Sequence, residues 1–163
     1  MIRDRIIELR RVPARELLPN PKNWRSHPPA QRAALRGLLN EVGYAGALLV
    51  RETPDGLMLI DGHLRMETTP EQDVPVLVLD LNEAEADTLL ATFDPLGAMA
   101  TANMEALAAL LDSVRVEDDA LQAMFEALIP APPILGPELD ESLARGLSLC
   151  ICAECGHEHG RQG

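Results

Sequence analysis

Residues 59–67 read LIDGHLRME. An apolar run stops at an acid and a glycine, and a histidine and an arginine follow two residues apart. The stretch ends a buried strand and turns at once into polar chemistry. A glycine at a strand-to-helix turn lets backbone come close to a ligand. The first amides of the next helical turn attract anions. His63 adds a titratable donor and Arg65 a bidentate binder of phosphate. Asp61 is placed to orient His63 or to hold a metal ion such as magnesium beside a phosphate. An ordinary turn with a solvated arginine is the plainer alternative, and four residues of this kind make a weak motif.

The flanking sequence fixes the class of fold. Upstream, ALLVR (47–51) and LMLI (57–60) surround TPDG (53–56) and predict a β-hairpin. Residues 5–12, RIIELRRV, predict a first strand, and Pro19, Asn20 and Pro21 a rigid non-helical segment. His27-Pro28-Pro29 reads as a helix entrance. Leu35, Leu38, Leu39 and Val42 then form an amphipathic stripe, with Arg32 and Arg36 on the polar side and Gly43 as terminator.

Downstream, Pro70 blocks a long helix, and VPVLVLDL (74–81) predicts a strand with a proline near its start. Residues 83–92 begin a helix capped by Asn82 and broken at Pro95. Two further helices follow at 103–113, with Asn103 as its cap, and at 118–129. The order of strand, loop, helix, hairpin, site, strand and helices makes the class α+β. Residues 1–95 read as the main domain, 96–129 as a helical extension, 130–147 as a proline-rich linker and acidic stretch, and 148–163 as a Cys/His tail.

The chain has 163 residues, enough for one core-bearing domain with small appendages. Hydrophobic residues make up 47% and aromatics 2%, so the core is aliphatic. No stretch reaches the roughly 20 apolar residues of a membrane helix. The N-terminus, MIRDRIIELRR, is charged throughout and carries no signal-peptide core, which predicts a cytoplasmic location and no membrane partner.

Net charge is -12 but unevenly spread. Residues 1–51 carry ten Lys/Arg against four Asp/Glu, and the remainder four against twenty-two. A basic N-terminal face toward nucleic acid is one reading, borne by Arg10, Arg11, Lys22, Arg25, Arg32 and Arg36. DNA binding through it would be weak and salt-sensitive. A solvated face with no partner is the plainer reading of the charge alone.

From about Ile7 to Thr92 the chain resembles the ParB N-terminal domain of the ParB/sulfiredoxin superfamily. ELLPNPKNWR (16–25) resembles the Asn-Pro-x-x-x-Arg box that follows the first strand. LRGLLNEVGYAGALLVR (35–51) resembles the family's helix and strand. LMLIDGHLRMETTPEQDVPVLVLDLNEAEA (57–86) resembles the Gly-x-x-Arg box and the Val-Pro-Val strand. The resemblance is to the domains found in phages and mobile elements, some fused ahead of a DNA methyltransferase. It implies a small mixed sheet with flanking helices and a nucleotide pocket. Gly62, His63 and Arg65 would contact phosphate, and Asn20, Pro21 and Arg25 would shape the pocket. The implied role is a nucleotide- or DNA-binding module in plasmid or phage maintenance, or an accessory to a methyltransferase.

Three departures bear on that role. Gly62, not a reactive cysteine, precedes His63, which argues against sulfiredoxin chemistry. The second phosphate box of partitioning proteins is replaced by TFDPLGAM, with no Lys or Arg from 66 to 114, which puts triphosphate hydrolysis in doubt. DGHLR is one residue from the Asp-Gly-His-His-Arg of the superfamily's ADP-dependent serine kinases. A phosphotransferase, or a ParB-type nuclease, is therefore the alternative. NPKNWRSH lacks the base carboxylate such kinases place near the first box, which favours binding over catalysis.

The tail runs Cys150-x-Cys152-x-x-Cys155-Gly156-His157-x-His159. The rest of the chain has no cysteine, which speaks for a local metal cluster rather than a disulfide framework. Cys-x-x-Cys-Gly presents two thiolates to zinc, and a mononuclear site needs about four ligands. Cys150, His157 or His159 would complete it, or a second chain would, making the tail a contact for a homodimer or a partner protein. An unstructured tail with reduced thiols is the alternative.

Overall fold

The computed structural model describes residues 1–129, 147–151 and 158–162. They fall in two units, residues 1–129 and 130–163. The first unit is built on a four-stranded mixed sheet in the order β1-β4-β2-β3. Its strands are β1 (Ile6–Pro13), β2 (Leu48–Thr53), β3 (Gly56–Asp61) and β4 (Asp73–Leu79). β4 pairs antiparallel with β1 and parallel with β2, and β2 and β3 form the expected hairpin, closed at Thr53 and Gly56. The α+β class and the small mixed sheet with flanking helices hold.

Alternation along the strands gives the sheet two apolar faces. On one, Val74, Val76 and Val78 of β4 pack with Leu48, Val50 and Leu59, capped by Ala14 and Leu17 of the segment after β1. On the other, Leu79 and Ile60 pack under Ala86 and Leu90 of α3 (Glu83–Ala98). No aromatic ring is fully buried, and aliphatic side chains fill both layers. Pro75 sits in β4 where β1 alone lies alongside, since pairing with β2 begins at Val76. Its missing N–H therefore breaks no second ladder.

Two helix readings are corrected. α1 (Pro29–Glu41) buries Ala34 and Gly37, while Leu38 and Val42 of the apolar stripe are exposed. The period is right and the phase is not. The small face is used because α5 (Asp119–Leu128) packs against it, with the Asp118 carboxylate where a Cβ on Gly37 would sit. Glu41 at the end of α1 accepts the backbone N–H groups of Glu117 and Asp118, which fixes the start of α5. α3 does not break at Pro95 but runs through it to Ala98, so the boundary read at 95 falls inside a helix. Residues 91–98 are exposed, so the turn that Pro95 disturbs lies outside the packed core. The capping box of Asn82 and Glu85 starts α3, and Asn103 caps α4 (Met104–Ser113), as read.

The second unit contains an antiparallel hairpin, β5 (Leu147–Ile151) with β6 (Glu158–Gln162), in which Cys150 and His159 are Cα partners. Among the described residues no helix is long and apolar enough to cross a membrane.

Candidate functional site

The stretch after β3 forms a turn that only glycine fits. Gly62 has φ 102° and ψ 18°, the left-handed region. A Cβ there would lie 2.5 Å from Cγ of Leu48, a fully buried residue. α2 (His63–Thr68) starts directly after it. At six residues this helix has a small dipole, so the strong charges near the turn belong to side chains.

Arg65 reaches back from α2 across the turn. Its Nη2 donates to Asp61 Oδ2 at 2.8 Å, and Nη1 faces the carbonyls of Ala47 and Gly46 at 3.4 and 3.5 Å. Asp61 thus orients Arg65. The Arg65 carbonyl accepts from Thr69 Oγ1 at 3.0 Å and from the Tyr44 hydroxyl, which also bonds to Thr69 Oγ1.

The first box arrives by pairing with the hairpin. Leu18 donates to the Leu57 carbonyl at 2.8 Å and accepts from Leu59 N–H at 2.9 Å, so the segment lies beside β3 as a short parallel bridge. Two residues on, the Asn20 N–H donates to His63 Nε2 at 3.1 Å. His63 and Asn20 are 5% and 7% exposed. An acceptor at Nε2 puts the His63 proton on Nδ1. Burial lowers the pKa of His63, opposed by Asp61 and assisted by Arg25, so the ring is neutral. Asn20 Oδ1 accepts the Lys22 N–H at 2.9 Å, and Asn23 N–H donates to the Asn20 carbonyl at 3.0 Å, tightening the Asn-Pro turn.

Arg25 ends this box and is mostly buried, with an ion pair to Asp94 of α3. Its Nε is buried without a partner, and its guanidinium carbon lies 5.5 Å from the Trp24 ring centroid. Lys22 reaches the same helix, at 2.8 Å from Glu83 and 2.6 Å from Asp87. Asp61, Gly62, His63, Arg65 and Arg25 thus line one cavity of about 190 Å³, together with Asp94, His27 and Gln31. Asn20 stands behind it as the partner of His63.

Asp94 and His27 escaped the sequence reading. The signal for Asp94 lay in Glu83, Asp87 and Asp94, which recur at helical spacing opposite a basic first box. The carboxylate beside the first box thus comes from α3, far along the chain, as the ion-pair partner of Arg25.

The other basic residues do not form one bare surface. Arg10 pairs with Glu8 and Glu52, and Arg32 with Glu67 at 2.7 Å. Arg10 and Arg11 are neighbours on β1 and point to opposite sides of the sheet. Arg11 and Arg36 have no ion-pair partner among the described residues. Among those residues no group of three His, Cys, Asp or Glu converges as a metal site. Cys152, Cys155 and His157 lie outside them.

Fold and site together define an α+β domain with a left-handed glycine turn and two arginines facing one cavity. Its fold is that of the chromosome-partitioning ParB proteins. A C-terminally truncated ParB from Caulobacter crescentus, complexed with CTP-γ-S, matches with a TM-score of 0.52 at 20% identity, over 64% of this chain and 60% of that one. The same bacterium's truncated ParB complexed to the centromeric parS site matches with a TM-score of 0.39 at 20% identity, over 49% and 43%. The chain thus spans less than two thirds of those structures. No family model matches the chain, and a search of the curated proteins found no match.

Proposed function

We propose that this chain is a ParB-like nucleotide-binding module acting in DNA metabolism, in the setting of a phage, plasmid or methyltransferase system. The observation that carries the reading is the convergence of Arg65 and Arg25 on the cavity beside Gly62. Both are largely buried, at 24% and 18% side-chain exposure, and both are held by carboxylates rather than free in solvent. A phosphate group matches the forked geometry of either guanidinium. The fold shared with a CTP-γ-S-bound ParB agrees with it. Magnesium would enter with the phosphates, using Asp61 or Asp94 as its protein ligand, since this ion is often held by one or two carboxylates plus phosphate.

Titration of ATP, ADP and CTP, with and without magnesium, tests the site. Arg65→Ala should weaken binding about tenfold to a hundredfold, the scale of a charged hydrogen bond. Unchanged binding by that variant would place the nucleotide elsewhere.

Asp94 favours a second reading, a phosphotransferase in which this carboxylate accepts a proton from the attacking hydroxyl. Release of ADP from ATP, or AMP from ADP, in the presence of a serine-containing acceptor would support it. For the tail, the Cα pairing of Cys150 with His159 supports a zinc site completed by Cys152, Cys155 or His157. The thiolates favour zinc over magnesium.

A further inference from the structure

Trp24 is the chain's one tryptophan, in a sequence with one tyrosine and two phenylalanines. It is 61% exposed, although an indole is among the side chains that gain most from burial. The backbone around it is braced by the Asn20 turn and by the Arg25 N–H, which donates to Asn23 Oδ1 at 3.4 Å. Its neighbours Asn23 and Arg25 both line the cavity, and Arg25 also lies against the ring. The indole is thus an exposed aromatic surface between two cavity-lining residues, with the Arg25 guanidinium against its ring.

The size of that cavity gives the exposed ring a purpose. At about 190 Å³ it is smaller than the roughly 300–1,000 Å³ of pockets that enclose a drug-sized ligand. It is too small to enclose a whole nucleotide, so with the phosphates between Arg25 and Arg65 the base would lie toward its rim. We propose that Trp24 is the stacking shelf for the base of a free nucleotide whose phosphates enter between Arg25 and Arg65. The proposal rests on the nucleotide reading above and adds the residue that distinguishes a nucleotide from bare phosphate. Stacking uses the π-face that every base has, so the shelf selects nucleotides as a class.

The test compares ligands with and without a base on the full chain. CTP, ATP and inorganic tripolyphosphate are titrated with magnesium into the parent, Trp24→Ala and Trp24→Phe by calorimetry. Fluorescence of the single tryptophan is followed in the parent. Nucleotides should quench it and tripolyphosphate should not. Trp24→Ala should lose about fivefold to a hundredfold in nucleotide affinity, the scale of one base on an aromatic ring. It should bind tripolyphosphate as the parent does, and Trp24→Phe should recover most of the loss. Trp24 is exposed, so melting by circular dichroism should stay at the parent value.

Equal loss for nucleotide and tripolyphosphate would mean the ring only holds Arg25, and the shelf would be rejected. Equal affinity of the parent for both ligands would keep the phosphate site and reject the shelf. No binding of either ligand would remove the nucleotide reading and the shelf with it. Tight binding of oligothymidylate that depends on Trp24, with none of free nucleotide, would assign the ring to a strand and overturn the proposal.

Discussion

His63 shows how far one residue's role depends on its neighbours. In the sequence it stands beside Gly62 and Arg65 as a phosphate contact. In the fold its Nε2 accepts from Asn20 N–H, so it joins the two boxes as a neutral strut. Its folded pKa lies below the ordinary 6.5, chiefly through burial. The unfolded chain therefore binds more protons just below that pH, and stability rises with pH there. The contribution is complete above 6.5 and is lost as pH falls through the folded value. Urea unfolding at neutral and mildly acidic pH should show this loss in the parent and a smaller one in His63→Gln. Equal losses would mean that other groups carry the pH dependence. The turn at Gly62 and the placing of Arg65 beside it were legible because they are local, whereas Asp61 was read toward His63 and bonds to Arg65 instead. The partner of His63 was not, because only the pairing of Leu18 with β3 brings Asn20 to it.

At the scale of elements, α3 is where the sequence misled most. Proline normally ends or kinks a helix by removing a backbone donor. Here the helix continues, and Asp94, the residue just before that proline, meets Arg25. The α1 stripe failed differently, because Ala34 and Gly37 gave no apolar signal and their use depends on α5. Asp94 competes with any anion for Arg25. Asp94→Asn should tighten binding of magnesium-free tripolyphosphate by up to about fivefold, the range of a partly exposed ion pair. If the same change instead weakens binding only when magnesium is present, Asp94 is a ligand of the ion and not a competitor. Calorimetry with and without magnesium separates the two results.

Across the whole molecule, charge segregation in the sequence becomes charge pairing in the structure. Arg5 meets Glu85, Arg10 meets Glu52, Lys22 meets Glu83 and Asp87, and Arg32 meets Glu67. Counting charge by segment predicted a basic face and missed that the acidic segments fold back onto it. The basic and acidic parts could be read from composition, but their juxtaposition needed the topology. The second unit begins at Pro130, in a proline-rich stretch, and the first has its own two-layered core. Deleting residues 130–163 should therefore leave the melting temperature of the remainder close to that of the full chain. Elemental analysis should find stoichiometric zinc in the full protein and none in the truncated one. Zinc retained after truncation would locate the metal outside the tail.

Leu18 has one more consequence. By bridging to Met58 it occupies hydrogen-bonding positions on the outer side of β3, at one margin of the sheet. The loop that brings Asn20 to His63 is thus also a plug against strand addition by another chain. Damage to the first box would uncover β3 as well as empty the site, and such variants would first be noticed as sticky, self-associating protein.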